Sequence, residues 1–317
     1  MTKHSRKVAG IDIAKTTLDV AVNVSKTSLQ VPNDASGHRQ LVTWLRREGI
    51  ELVGLEASGG YERRVVACLR AAGFTVRVLQ PIQVRAYAVF CLQRAKNDKI
   101  DARLIAVCTA AKPADKAAPD PRFDALAEML TLLEQIEDDM ARAKTRQEAF
   151  HDQRHRDLLD AEIRRLRAWR AAEIRFLLAT LRRHKDLARR LALIQSVPGI
   201  GTRTALAVLI RMPEIGTLTR EQAAALAGLA PFDQDSGKHQ GRRRIAGGRK
   251  RLRKSLYAAA LPAAFRWNPD LIDLYTRLIN AGKTHKAALV ACARKLIIYA
   301  NTVVARGTPW ADQKQTI

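Results

Sequence analysis

The chain has 317 residues, with 55 Lys and Arg against 31 Asp and Glu, a formal net charge of +24 at pH 7. That length allows two or three domains with filled cores, and that charge implies a polyanionic partner, nucleic acid above all. Aromatic residues make up only 5% of the chain, which excludes base stacking as the main mode of recognition and leaves phosphate contacts by Arg and Lys. The cysteines, Cys68, Cys91, Cys108 and Cys292, are widely spaced with no C-x-x-C pair. They exclude a zinc site and a disulfide frame and read as reduced core residues. No apolar run has the length of a signal peptide or approaches a membrane span, so a soluble, cytoplasmic protein is expected.

Residues 8–22, VAGIDIAKTTLDVAV, organise the first third. Two β-branched runs joined by a polar turn predict a buried hairpin, followed by a third strand over 27–32. A carboxylate within a buried strand is costly unless something positive meets it, and Asp12 sits in the first strand. A turn cap, a pair with Lys15 or a metal ion would each serve. Asp34 can cap a helix running to Gly49. ELVGLEAS (51–58) predicts a strand ending at Glu56, GGYERRVVACLRAAG (59–73) an amphipathic helix, and FTVRVLQP (74–81) a further strand. Strands alternating with helices indicate an α/β domain with a mixed sheet. A helix near 82–91 precedes QRAKNDKIDARLIAVCTAAK (93–112), where Asp98 and Asp101 share a helical face.

Hard cations such as Mg²⁺ take carboxylate oxygens, and divalent metals suit phosphodiester chemistry. The order of strand Asp12, strand-end Glu56 and helical Asp98 and Asp101 is the layout of the RNase H-like, RuvC-type nuclease fold. The bland alternative for Asp98 and Asp101 is a solvated face paired with Lys96 and Lys99.

PADKAAPDP (113–121) is a linker. From Arg122 to Val197 there is neither glycine nor proline. Leu126, Met129, Leu133, Ile136 and Met140, then Leu159, Ile163, Leu166, Trp169, Ile174, Leu177 and Leu181, make coiled-coil-like stripes on two helices or one interrupted helix. A dimerisation arm and an intramolecular hairpin fit this pattern equally. His151, His155 and His184 read as surface residues. LIQSVPGIGTRTALAVLI (193–210) has the form of a helix-hairpin-helix, in which Gly199 and Gly201 let backbone N–H groups approach a phosphate. A plain αα-hairpin with a glycine turn would look the same. Thr219 caps a small helix over 218–232. Between Arg242 and Lys254 stand eight basic residues and no acidic one, read as loop, short strand, glycine turn and a basic helix from about 249. Upstream, Asp235-Ser236-Gly237 puts a hydroxyl on a turn beside that charge, where Ser236 could attack a phosphodiester or simply shape the turn. Packing helices near 250–266, 269–281 and 284–305 and a short tail complete the chain.

GIDIAK–TTLDVAV, GLEASGGYE, LQPIQVRAYA, AKNDKIDARLIA, SVPGIGTRTA and LAGLAPFDQDSGKHQGRRRIAGGRKRLRKSLYAAAL together resemble the DEDD transposases of the insertion-sequence-110 class, relatives of Piv DNA invertases. Ala-Lys-Asn-Asp at 95–98 replaces the usual Ala-Lys-Thr-Asp and keeps the carboxylate. The resemblance implies an RNase H-like, RuvC-like N-terminal domain (1–112), a linker (113–121), a coiled-coil helical arm (122–185), a mostly α C-terminal transposase domain (186–310) and a tail (311–317). It also implies a metal-binding, catalytic tetrad of Asp12, Glu56, Asp98 and Asp101 with Mg²⁺ as cofactor, and Ser236 as the nucleophile that becomes linked to DNA. Nucleic-acid contacts are expected from Lys238, Arg242, Arg243, Arg244, Arg249, Lys250, Arg251, Arg253 and Lys254, with Gly199 and Gly201. The expected partners are double-stranded DNA at element ends and target, a structured noncoding bridge RNA, and further copies of the chain in a dimer or tetramer, in a bacterial cytoplasm at the nucleoid. The rival functions are a RuvC-like nuclease or resolvase with no covalent intermediate, and a non-catalytic nucleic-acid scaffold.

Overall fold

The computed structural model describes residues 7–92, 98–112, 120–232 and 244–310, with only the backbone for residues 98–100. The chain divides into two compact units, Met1–Ala118 and Pro119–Ile317.

The first unit is a mixed sheet with helices on both faces. Strands β1 (Val8–Ile13), β2 (Thr17–Val22) and β3 (Ser28–Pro32) form an antiparallel meander. β4 (Leu52–Glu56) and β5 (Thr75–Leu79) add in parallel, giving the order β3-β2-β1-β4-β5. Helix α1 (Ala35–Arg47) starts where the Asp34 carboxylate accepts from the N–H groups of Ser36 and Gly37 at 2.9 and 2.8 Å, satisfying two of the donors a helix start leaves open. Helices α2 (Glu62–Ala71), α3 (Pro81–Phe90) and α4 (Asp98–Ala111) follow.

Period-two alternation sorts the strand residues onto two unlike faces. Ile11, Ile13, Leu18, Val20, Val53 and Leu55 pack against Leu41, Trp44 and Leu45 of α1 and Val65, Val66 and Leu69 of α2. Gly10, Asp12, Asp19, Gly54, Glu56 and Arg77 lie on the opposite face, where α4 packs on β1, β2 and β4. Two glycines permit that approach. A Cβ on Gly10 would stand 2.1 Å from the Ala102 carbonyl oxygen, and one on Gly54 would stand 1.8 Å from Thr109 Oγ1. Arg77 on β5, 8% exposed, donates to the carbonyls of Thr109 and Lys112 at 3.0 and 2.9 Å and so holds the far end of α4.

The loop leaving β4 is tied by Glu62. Its Oε2 accepts from Ser58 N–H at 3.1 Å, Ser58 Oγ at 3.0 Å and Gly60 N–H at 2.8 Å. Burial pushes the Glu62 carboxyl up, but hydrogen bonds from the main chain of Glu62 and Gly60 and from Ser58 outweigh it and leave it below its ordinary value.

In the second unit, α5 (Arg122–Ala149) and α6 (Gln153–Arg182) form a helical hairpin. Ile136, Met140 and Ala143 meet Ile163 and Leu166 within the one chain. Trp169 departs from the expected stripe. It is 50% exposed with the Arg165 guanidinium 4.6 Å from its ring centre, while Arg170 bonds Glu137 of α5. Beyond the hairpin come α7 (Lys185–Gln195), α8 (Thr202–Arg211), α9 (Arg220–Leu226), the ribbon β6 (Pro231–Phe232) with β7 (Arg244–Ile245), α10 (Lys250–Pro262) continuing as a π turn to Trp267, α11 (Pro269–Asn280) and α12 (His285–Arg306). Every residue from Ala205 to Ile210 is buried, so α8 is the central helix of this core.

Two sequence expectations need correction. Cys91, just past α3, is exposed, whereas Cys108 and Cys292 are buried. All four thiols are free. Burial raises the Cys292 thiol to about 11. Helix α12 is long and apolar enough to cross a membrane by length and composition, contrary to the reading that no run approaches a span. Its Leu289, Cys292, Leu296, Ile297 and Val303 are core residues of the second unit.

Gly10→Ala is expected to destabilise the first unit by about 3 kcal/mol or more, because the obstacle is main chain that cannot step aside. Chemical denaturation followed by exchange at β1 amides checks this. Glu62→Gln is expected to cost about 1 kcal/mol. A depressed carboxyl contributes stability fully above its unfolded value near 4.5 and loses it as pH falls through the lower folded value. The wild-type minus Glu62→Gln difference should therefore shrink on acidification below that point, and a difference flat down to the lowest pH would refute the assignment.

Candidate functional site

Two of the expected acids, Asp12 and Glu56, lie on one face of the sheet, and the other two belong to α4, which packs on that face. Asp12 lies near the end of β1, with its Oδ1 accepting from the Ile13 N–H at 3.0 Å. Glu56 closes β4. The parallel register ends at Ile11 opposite Leu55, so the next residue on each strand is Asp12 on one and Glu56 on the other, both partly exposed. Adjacent parallel strands stand about 4.8 Å apart, which brings these two carboxylates to neighbouring positions on the face under α4.

Helix α4 supplies the other two positions. Thr109 sits over Gly54 and Ala102 and Ala106 over Gly10, so the helix crosses the sheet from β4 over β1. Its N-terminal turn opens with Asp98, and Asp101 immediately precedes the fully buried Ala102. The side chain of Asp98 lies outside the described residues.

Sequence reasoning missed Asp19. It stands directly across the hairpin from Asp12, is 6% exposed, and accepts from Gln30 Nε2 at 2.9 Å. The alternation TTLDVAV contained the signal, since the turn at 14–16 sets Asp19 opposite Asp12. Carboxylate oxygens are the right donors for a hard divalent cation. Among the described residues, no three His, Cys, Asp or Glu side chains are grouped closely enough to hold a metal ion.

The basic stretch in the second unit splits. Ser236, Lys238, Arg242 and Arg243 lie outside the described residues. Arg244 is exposed on β7, and Lys250 is exposed at the start of α10. The remainder are engaged within the protein. Arg249 makes a two-point contact with Glu214 at 2.6 and 2.9 Å, and its bonds outweigh burial to hold the Glu214 carboxyl below its ordinary value. Arg251 reaches Glu134 at 2.7 Å and Lys254 reaches Asp138 at 2.5 Å. The Lys254 bond depresses the Asp138 carboxyl. Arg253 donates to the carbonyls of Gly228 and Gly247 at 3.2 and 2.9 Å.

The acids on α5 gather further cations. Glu137 accepts from Arg170 of α6 at 2.9 Å and from Arg203 of α8 at 2.8 Å, while Glu134 accepts from Arg211 at 2.8 Å. Glu134, Arg203, Arg251, Lys254 and Ser255 border a cavity of about 320 Å³. Arg251 and Lys254 remain 52% and 76% exposed at the side chain. The two glycines of the P-G-I-G turn between α7 and α8 differ. Gly199 has φ +92° and presses on Ala263, where a Cβ would come within 2.4 Å of that residue's own Cβ. Gly201, just before α8, faces open space.

The comparisons with known proteins agree in order and extent. A transposase family model of the DEDD IS110 type matches residues 9–162, and the model of the Transposase IS116/IS110/IS902 family matches residues 191–276. The pilin gene-inverting protein of Moraxella bovis is 27% identical over 327 aligned positions, covering 96% of this chain and 98% of the relative. That of Moraxella lacunata is likewise 27% identical with the same coverage. With an α/β first unit carrying acids on one sheet face and a mostly helical, cation-rich second unit, the chain belongs to the insertion-sequence-110 class of DNA transposases and recombinases.

Proposed function

We propose that the protein cuts and rejoins DNA through a phosphoserine intermediate, using carboxylates of the first unit and Ser236 of the second. The observation that carries this reading is the placement of Asp12 and Glu56 side by side on the sheet face crossed by α4, whose first turn bears Asp98 and Asp101. The strand order 3-2-1-4-5, with one antiparallel meander and parallel additions, supports an RNase H-like, RuvC-like unit. The α5–α6 hairpin supports the coiled-coil arm, and the glycine turn between α7 and α8 supports a helix-hairpin-helix-like element.

Asp12, Glu56, Asp98 and Asp101 would hold Mg²⁺, which when bound neutralises charge on the reacting phosphate oxygens. The Ser236 hydroxyl attacks the scissile phosphorus. A bond forms from Oγ to phosphorus, the phosphorus–oxygen bond to the next nucleotide breaks, and the departing oxygen takes up a proton. Because the new ester keeps the energy of the broken phosphodiester, a DNA hydroxyl can displace the serine and rejoin strands. Lys238, Arg242, Arg243, Arg244 and Lys250 grip phosphates, joined by Arg249, Arg251 and Lys254 on exchange of their carboxylate partners for phosphate, and the exposed main chain at Gly201 admits one more. With few aromatic residues and much charge, sequence is read by base pairing in a structured bridge RNA while protein holds backbone. Composite sites of carboxylates and serine from different protomers make a dimer or tetramer the working form.

A suicide DNA substrate containing the element's own end tests this. An adduct that survives denaturant and is lost in Ser236→Ala is expected, with divalent-metal dependence. Cutting that persists in Ser236→Ala without adduct would leave a RuvC-like nuclease instead. Asp12→Asn is expected to lower strand cleavage at least about 100-fold while leaving DNA affinity within about twofold, since that carboxylate acts on the reacting phosphate and not on the grip. Single-turnover cleavage with a parallel binding titration measures both.

A further inference from the structure

Two of the few aromatic residues stand outward on the π turn that extends α10. Pro262 brings no N–H to the helix. Beyond it the coil widens until the Asn268 N–H donates to the Ala263 carbonyl, five residues back, at 3.0 Å. Both ends of this turn are held. Ala263 and Ala264 are buried, with Gly199 pressed on Ala263, and the buried Asn268 donates from Nδ2 to the Pro198 carbonyl at 3.0 Å. Between them Phe265, Arg266 and Trp267 face outward, with Phe265 54% and Trp267 55% exposed. Phe265 is backed by further rings. Its centre lies 4.8 Å from that of Tyr275 on α11 and 6.4 Å from that of His285 at the start of α12, and Tyr275 Oη and His285 Nδ1 share a hydrogen bond of 2.6 Å. The other ring contacts among the described residues are pairs. The Arg266 guanidinium lies 4.9 Å from the Trp267 ring centre.

The surroundings select the partner. From Leu261 to Lys286 the chain carries Arg266, Arg277, Lys283 and Lys286 against Asp270 and Asp273, all exposed. Whatever covers the rings therefore meets a net positive border, which a second copy, itself at +24, is poorly suited to do. A ring, a guanidinium and a ring in succession match a base, a phosphate and a base. In a duplex the base faces are covered by their neighbours, so only an unpaired strand offers them. We propose that Phe265 and Trp267, with Arg266 between them, form a seat on which bases of an unpaired DNA strand stack, apart from the phosphate grip of the basic stretch. Strands that are cut and rejoined must part from one partner before joining another, and the parted strand exposes the faces this turn is built to hold. The proposal rests on DNA being the substrate and on neither Ser236 nor a metal, so its failure and that of the phosphoserine reading are told apart.

The test uses the full-length protein and a labelled DNA strand of about 15 nucleotides that cannot pair with itself. The RNA of the same sequence and the blunt DNA duplex run in parallel, at salt raised enough to screen phosphate contacts. Trp267→Ala is expected to weaken single-stranded DNA binding roughly 10-fold and to leave the duplex Kd within about twofold. Trp267→Leu, which keeps apolar bulk and loses the ring, should lose as much, and Trp267→Phe should recover part. Tryptophan fluorescence of the wild type should fall as the strand is added. That fall should shrink in Trp267→Phe, in which Trp44, Trp169 and Trp310 remain. Single-stranded DNA binding unchanged in Trp267→Leu would overturn the proposal, and so would an equal loss on the duplex. A loss confined to the RNA would assign the rings to an RNA partner. A smaller assembly in sedimentation, with DNA binding intact, would assign them to a second copy. Either result overturns the proposal, whereas the fate of the adduct in Ser236→Ala moves none of these readings.

Discussion

The first unit depends on one contact, the seating of α4 on the sheet through two missing side chains. The α4 main chain at Gly10 and the Thr109 side chain at Gly54 come closer to the strands than any Cβ would allow. Interiors of proteins are packed too densely to absorb such an intrusion. The helix is therefore set at one height and one angle, with Arg77 holding its far end through carbonyls that a helix terminus leaves unpaired. The acids inherit their positions from that seating. Asp12 and Glu56 are placed by strand register, Asp98 and Asp101 by where the helix begins. Without the glycine contact the start of α4 would not lie where it does on the sheet.

The second unit addresses a different problem, that of packing many cations in one domain. Three carboxylates close together on α5, Glu134, Glu137 and Asp138, take bonds from α6, α8 and α10. Partly buried networks of this kind lose much of their Coulomb gain to desolvation. Their effect here is to fix which helix faces which. The outermost members, Arg251 and Lys254, stay largely open to solvent.

Much of this was legible in the chain itself. Strand and helix order in the first unit follows from periodicity and punctuation, as with the Asp34 cap and the residues Gly49 and Gly73 that end α1 and α2. The shared face of Asp12 and Glu56 follows from alternation once the register is known. Register itself is a tertiary property, and Asp19 went unnoticed because the alternation in TTLDVAV sets it opposite Asp12 only once the turn at 14–16 is fixed. Trp169 was misplaced for a related reason. An apolar residue one step off the seam fits the spacing count as well as a core residue does, and Arg170 reaches Glu137 in its stead. The fate of individual cations was least legible. Arg249, Arg251, Arg253 and Lys254 are indistinguishable in a charge run, yet one meets a carboxylate beside α8, two meet α5 and one meets carbonyls.

The central sheet turns its oily side to α1 and α2 and its acidic side to α4, so the apolar packing and the carboxylates occupy opposite surfaces of the same strands. Loss of a carboxylate removes little from the hydrophobic side. A chain that had lost one of these acids would still fold, with the cation-rich second unit unaltered.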